Sequence, residues 1–299
     1  MLNIGIVGLR NAKVYIETLE HFPSLCFKGI YDPCLLMDRF GNYDFNVFQS
    51  FGELCSECHA VVFSIDDNLY MPLISEAVRH SLDVFINGVH NFEVTELQSL
   101  LRLRDEAGTI VHVGHPLIYS DIFQTIRRHC GHPLDMECKV IKNDKMGLLP
   151  LAYTELCLML ALVKTTVHKV SVNVYSSFSS VPDTLRIRLD FDNGAVGNVC
   201  VCQYGQSQEH SIKVLGYNSI VEVDLLHRQM VETNSDNPDE PIRQKLKTFG
   251  KTVEQMQINA FCTCMMGGSV VHNSLENEIR THLAFARINE KVRVNFNVF

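Results

Sequence analysis

The chain has no excess of positive charge: its 299 residues carry 26 Lys+Arg against 34 Asp+Glu, a formal net charge of -8. No basic run compensates locally, so the electrostatic footprint for nucleic acid or an anionic membrane surface is missing. Long apolar runs are missing as well. The apolar start, residues 1–9, is too short to cross a bilayer and lacks the basic segment that opens a secretory signal, so the expectation is a cytoplasmic protein. Repeats and low-complexity segments are absent. A hydrophobic content of 46% excludes a disordered or fibrous chain and supplies two buried cores at this length.

A second metal-type cysteine pair is also lacking. Of the eleven cysteines, Cys55-Ser-Glu-Cys58 has redox or zinc spacing, but Cys200/Cys202 and Cys262/Cys264 fall on a strand pattern and a helix pattern. The odd count and the absent secretion signal fit reduced thiols used as small core residues, with no metal site expected.

What is present is a strong alternation of short β-branched runs with helical stretches. Strands are predicted at 2–8, 25–31, 59–65, 83–87 and 109–114, and helices at 11–21, 50–57, 68–81 and 93–107. This is the pattern of a Rossmann-type parallel sheet, with a domain boundary near 118. From 119 the pattern changes: a helix at 119–130, a strand at 134–142, a helix at 148–164, then strands at 167–178, 184–192, 195–204, 210–216 and 219–224. Asn193-Gly194 separates two of these as a hairpin turn, since both residues tolerate positive φ. The stretch 233–241 reads as a loop, 242–265 and 274–289 as helices, and 291–296 as a terminal strand. The expected fold class is therefore α/β, with residues 1–118 dinucleotide-binding and 119–299 an α+β domain on a large, mostly antiparallel sheet.

A dinucleotide fingerprint requires glycine at 8, 10 and 13, and only Gly8 is there; Arg10 and Lys13 fill the other places. Asp32 stands 24 residues beyond Gly8, where an acid accepts hydrogen bonds from an adenosine ribose, and Arg10 lies beside a helix N-terminus, where it can pair with a phosphate. Each also has an ordinary structural reading: Asp32-Pro33 as a helix-starting turn, Arg10 as a solvated cation.

The run from Ala60 to Pro72, then a helix, then Asp83 to Val89, resembles without a gap the corresponding stretch of the Gfo/Idh/MocA oxidoreductases. Ile110 to His115, the Asn193-Gly194 hairpin, Val214 to Val223 and the closing helix are similar to further segments, so the resemblance covers nearly the whole chain. It implies NAD or NADP as cofactor, held by Gly8, Arg10, Asp32 and Ser64, and a sugar or cyclitol derivative as ligand in an interdomain cleft. Face-to-face pairing of two copies, or a tetramer, through the second sheet is implied too, with Val170, Val172 and Val174 supplying apolar surface. Asp32 would repel a 2′-phosphate and favours NAD, whereas Arg10 accommodates extra negative charge.

The departures bear on chemistry. Where the family has Glu-Lys-Pro, with a lysine that assists proton transfer, this chain has Asn87-Gly88-Val89. The family's helix histidine, its general base, is Thr154, which is no base at neutral pH. Asp66 and Tyr70 replace a proline and a histidine of the same cleft, and Tyr70 reads as a residue that covers it. Substitutes for the lost groups are His90, His115, Tyr153, Glu155 and Lys145, although His115 also reads as a strand-end histidine and Glu155 as an ordinary helix residue. Two functions follow: an oxidoreductase with a rearranged site, or a non-catalytic descendant that binds a nucleotide, a metabolite or a protein.

Overall fold

Strands of the first sheet are apolar on both faces because helices cover both. The computed structural model describes residues 1–33, 45–64, 68–89, 91–143, 147–176, 181–205, 207–245, 251–269 and 273–296. Strands β1 (Leu2–Val7), β2 (Leu25–Tyr31), β3 (Ala60–Phe63), β4 (Asp83–Ile86) and β5 (Val111–Val113) are all parallel, in the order β2-β1-β3-β4-β5. Ile4, Ile6, Val62 and Phe85 meet α1 (Ala12–Leu19) and α7 (Val253–Met265) on one face. Val7, Val61, Phe63 and Ile86 meet α2 (Phe51–Glu57), α3 (Met71–Arg79) and α4 (Val94–Ala107) on the other. The sheet is doubly wound, as the alternating pattern predicts.

The second sheet has eight strands in the order β13-β12-β11-β10-β6-β9-β8-β7. They are β6 (Asp135–Ile141), β7 (Val167–Tyr175), β8 (Thr184–Phe191), β9 (Val196–Cys202), β10 (Glu209–Leu215), β11 (Ser219–Asp224), β12 (Gln229–Asn234) and β13 (Asn237–Lys245). Only β6 and β9 pair in parallel among neighbours that are otherwise antiparallel. Alternation along β8 buries Leu185, Ile187, Leu189 and Phe191 while Arg186 and Arg188 stay exposed. The apolar helix α6 (Leu148–Val163) packs on β6, β8 and β9, and α5 (Asp121–His129) precedes β6. At the β8–β9 hairpin Gly194 adopts φ 84°, the left-handed conformation that favours glycine.

Several expectations are corrected. The terminal strand 291–296 is instead the end of α8 (Leu275–Phe296), which no glycine or proline interrupts, so helical propagation outweighs the alternation of Val292, Val294 and Phe296. The expected loop 233–241 is a hairpin: Ser235 and Asp236 make the turn between β12 and β13. Pro238 and Pro241 fall on β13, the sheet edge, where a missing N–H is tolerated. The helix expected over 242–265 accordingly begins only at Val253, where Thr252 and Gln255 form a capping box. Val170 and Val172 are buried on the covered side, opposite Leu189 and Ile187, and do not provide an open apolar face.

The chain divides into one compact unit of Met1–Tyr119 with Gly250–Ile279, and another of Ser120–Phe249 with Arg280–Phe299. The first break falls where the sequence pattern changes. Residues 250–279, by contrast, go with the first unit rather than the second, because Ile258, Phe261 and Cys262 of α7 complete its core.

Candidate functional site

The register of the parallel sheet aligns the residues singled out from sequence. Tyr31, Val7, Phe63, Ile86 and Val113 form one row across β2, β1, β3, β4 and β5. The next residue of each strand therefore lies along the carboxyl edge: Asp32, Gly8, Ser64, Asn87 and Gly114. Beyond the carboxyl ends of the strands, where the helical connections diverge, is where open α/β sheets bind ligands; here they diverge between β1 and β3.

Gly8 turns the chain with φ 89°, and its N–H donates to the Tyr31 carbonyl at 2.9 Å. Arg10 is exposed, and Asn11 takes a left-handed φ of 58° at the start of α1 without a side-chain cap. The lost third glycine has a physical account. Lys13 is 90% exposed, and the helix packs on the sheet through buried Ala12 and Tyr15 instead, so nothing at position 13 needs to be small. Asp32 is half-buried at the end of β2. Ser64 is fully buried; its N–H and hydroxyl both donate to the Val7 carbonyl, at 2.9 and 3.0 Å, which fixes β3 to β1 at the turn.

Asn87 stands where the sequence resemblance implied a glutamate, and its setting is tight. The phenol of buried Tyr15 donates to its Oδ1 at 3.0 Å. A Cβ on Gly114 would come within 2.2 Å of its backbone oxygen. Gly88 is half-buried and brings no charged group. His115 is buried, and its Nδ1 accepts from the N–H groups of Leu117 and Ile118 at 3.1 and 3.2 Å, so that nitrogen is committed to holding a turn. Gln257 of α7 donates to the His115 carbonyl at 3.0 Å. His90, Lys145 and Asp66 lie outside the described residues. Tyr70 is buried in the core against α2, α3 and α4.

In the second unit Thr154 is half-buried on α6. Tyr153 shares a 2.9 Å hydrogen bond with Nδ1 of His282 on α8 and stands edge-on to His282 and Phe285. Glu155 is not an ordinary helix residue. Its side chain is 2% exposed, and its Oε1 lies 2.9 Å from Nε2 of His210 on β10. The other oxygen is buried without a hydrogen bond of ordinary geometry, beside Cys138 of β6. Burial pushes the Cys138 thiol well above its usual range, and the Glu155 carboxylate adds to the shift. Sequence reasoning missed His210, although it lies in phase with the inward-facing Ile212 and Val214.

Among the described cysteines, Cys55, Cys58, Cys130, Cys138, Cys157 and Cys262 are buried, whereas Cys26, Cys200, Cys202 and Cys264 are half-buried. Burial drives the thiol of Cys55 up to about 11 and that of Cys58 to about 12, which keeps both protonated and unreactive. No metal-ligating cluster occurs among the described residues. No helix among them is long and apolar enough to cross a membrane.

By sequence, no protein-family model and no curated protein matches the chain. Solved structures do. UDP-N-acetylglucosamine 3-dehydrogenase GnnA from Acidithiobacillus ferrooxidans superposes with a TM-score of 0.83 at 14% identity, covering 99% of each chain. An oxidoreductase from Agrobacterium radiobacter, solved with NAD+, L-tartaric acid and magnesium, gives 0.77 at 13%, covering 97% of this chain and 95% of that one. Biliverdin reductase from Synechocystis, solved with biliverdin and NADP+, gives 0.70 at 13%, covering 97% and 98%. The doubly wound unit, the mostly antiparallel eight-stranded sheet and these full-length superpositions establish that the chain has the fold of the Gfo/Idh/MocA-type oxidoreductases.

Proposed function

We propose that the protein binds NAD or NADP and oxidises or reduces a sugar or cyclitol derivative. The observation that carries this reading is the row Asp32–Gly8–Ser64–Asn87–Gly114 along the carboxyl edge of the first sheet. The residues fit the group in part. Gly8 makes the tight turn, Asp32 is placed to accept from a ribose hydroxyl, and Arg10 supplies a cation in the loop that leads into α1. Asp32 favours NAD over its phosphorylated form. When bound, the nicotinamide would accept or deliver hydride. Gly88 and Thr154 carry no proton-transfer group, so a proton acceptor must come from elsewhere in the chain.

The loss of both usual groups supports a second reading, a non-catalytic protein that retains the fold to bind a nucleotide or metabolite. Calorimetric titration with NAD, NADH, NADP and NADPH is the first test. Micromolar binding that Asp32→Ala weakens at least tenfold supports the dinucleotide site. No binding at millimolar cofactor removes the oxidoreductase reading.

The open face of the second sheet is proposed to pair with a second copy. Its β7–β8 side carries Lys169, Arg186 and Arg188 with Asp190, and its β6, β10 and β11 side carries Glu137, Glu209, Glu222 and Asp224 with Lys139 and Lys213, so the first is net basic and the second net acidic. A two-fold arrangement would lay one strip on the other. Sedimentation as a monomer at micromolar concentration would overturn this.

A further inference from the structure

We infer that a pocket of about 270 Å³ in the second unit binds a small uncharged molecule with an apolar body and one hydrogen-bonding group, such as a six-membered ring bearing an amide. Its walls are Leu148, Leu149 and Pro150 in the first turn of α6, Val174 and Leu185 on β7 and β8, and Val292 near the end of α8. All of these residues belong to the same compact unit. The site requires no dinucleotide and stands whether or not the protein is an oxidoreductase.

The space arises where the helical layer stops short of the sheet. Val174 and Leu185 are opposite each other in the β7–β8 register, on the face that α6 covers. Val170 and Val172, in phase with Val174, are buried, but Val174 itself is only half-buried because α6 begins at Leu148. Leu148, Leu149 and Val292 are half-buried too, and Val181 beside them is 65% exposed. Apolar side chains gathered in a concavity, rather than scattered singly, mark a ligand site. The walls are stiff: Gly147 turns the chain with φ 83°, and the rings of Pro150 and Pro182 fix their own φ, so the space is preformed.

The lining sets the chemistry of the ligand. None of the lining residues is charged, so an ion entering would lose hydration without gaining a counter-charge. Gln203 carries the one polar side chain among them; it is half-buried, and its amide makes no hydrogen bond to another described residue. A primary amide offers two donors and an acceptor, which an amide or hydroxyl of a neutral ligand can pair. At ~30 Å³ per water the space equals about nine waters. That is below the range of drug-sized sites and matches one ring with a short polar arm. Water held there would face mainly apolar walls, so its displacement by an apolar group is favourable.

The test titrates the whole protein, isotopically labelled at its Leu and Val methyl groups, with benzamide, and with benzoate and toluene for comparison. Benzamide is expected to bind with a Kd on the order of 1 mM and to shift the methyl resonances of Leu148, Leu149, Val174 and Val292. Benzoate, of the same shape but charged, should bind roughly tenfold more weakly or worse. Gln203→Leu should weaken benzamide about tenfold, the loss of one hydrogen-bond partner, and leave toluene within a factor of about two. Val174→Phe fills the space and should abolish benzamide binding while a circular dichroism melt confirms the fold. Val181→Trp, at an exposed position that accepts a larger side chain, should do the same and serves if Val174→Phe does not fold. Absence of shifts at roughly 20 mM benzamide, well above that Kd, overturns the inference, as do shifts confined to other methyls, benzoate binding as tightly as benzamide, or undiminished binding in a folded filling variant. Shifts of the same methyls with protein concentration alone would put a second copy in the pocket and overturn it equally. None of these outcomes bears on dinucleotide binding, which calorimetry reads separately.

Discussion

The phenol of Tyr15 on α1 and the side-chain oxygen of Asn87 beyond β4 are joined by a 3.0 Å hydrogen bond across 72 positions of sequence. Tyr15 is fully buried, and its ring stands edge-on to Phe85, so the phenol has no route to water and Asn87 is its acceptor. The bond fixes the Asn87 amide at the carboxyl edge of the first sheet. Tyr15→Phe keeps the packing and removes the donor, and should cost about 1 kcal/mol. Urea denaturation monitored by far-ultraviolet circular dichroism measures it; an unchanged midpoint would mean that the bond contributes nothing.

Gly114 and Gly52 make opposite predictions for the same substitution. A methyl group on Gly114 would lie 2.2 Å from the Asn87 carbonyl oxygen, backbone that cannot rotate aside. Gly114→Ala should destabilise by about 3 kcal/mol, at the upper end of overpacking costs. Gly52 lies in α2 with nothing within 4 Å of the added carbon. Gly52→Ala should stabilise by about 0.5–1 kcal/mol through helix propensity. Thermal melts of the two variants under one buffer compare them directly.

These contacts mark how far the sequence could be read. Gly8, Asp32 and Ser64 share one edge of the first sheet because each follows a strand, and strand ends in a parallel sheet converge on one edge whatever the intervening helices do. The partnership of Glu155 with His210 was not found, because a single glutamate in a helix reads as a solvated residue unless every neighbour is apolar. Leu156, Cys157, Leu158 and Met159 are all buried, and that was the available signal. The end of α8 was misread for a different reason: Val292, Val294 and Phe296 alternate, and alternation outweighed the absence of a helix stop.

Alkaline instability follows from the buried thiols. Cys58 rises from an ordinary value of 9.0 to about 12, through burial first and the neighbouring Glu57 second. Below pH 9 the folded and unfolded chains both keep the proton. Between pH 9 and about 12 the unfolded chain ionises and the folded one does not, so the folded state binds more protons and stability falls as pH rises. The slope is about 1.4 kcal/mol per pH unit for one such thiol. Cys58→Ala should flatten the decline between pH 9 and 10.5 relative to the parent, as read from urea midpoints across that range. Parallel declines in the two proteins would assign the alkaline loss to other groups.

The open sheet face gives a prediction about charge. On it Lys139 is paired with Glu209, Lys213 with Glu222, and Arg188 with Asp190, at 2.7, 2.8 and 2.9 Å. Arg186 and Glu137 are exposed on β8 and β6, and no ion pair links either to another described residue. In a two-fold pairing of copies, Arg186 of one would meet the acidic strip of the other, an attraction that salt screens within about 10 Å at 0.1 M. Arg186→Glu should then weaken dimerisation by roughly tenfold, the effect of one like-charge juxtaposition in place of an attraction, and Glu137→Arg in the same chain should restore it. Sedimentation equilibrium of the single and double variants at low and moderate salt decides the matter. Restoration by the second reversal requires the two strips to face each other, whereas additive loss would place the contact elsewhere.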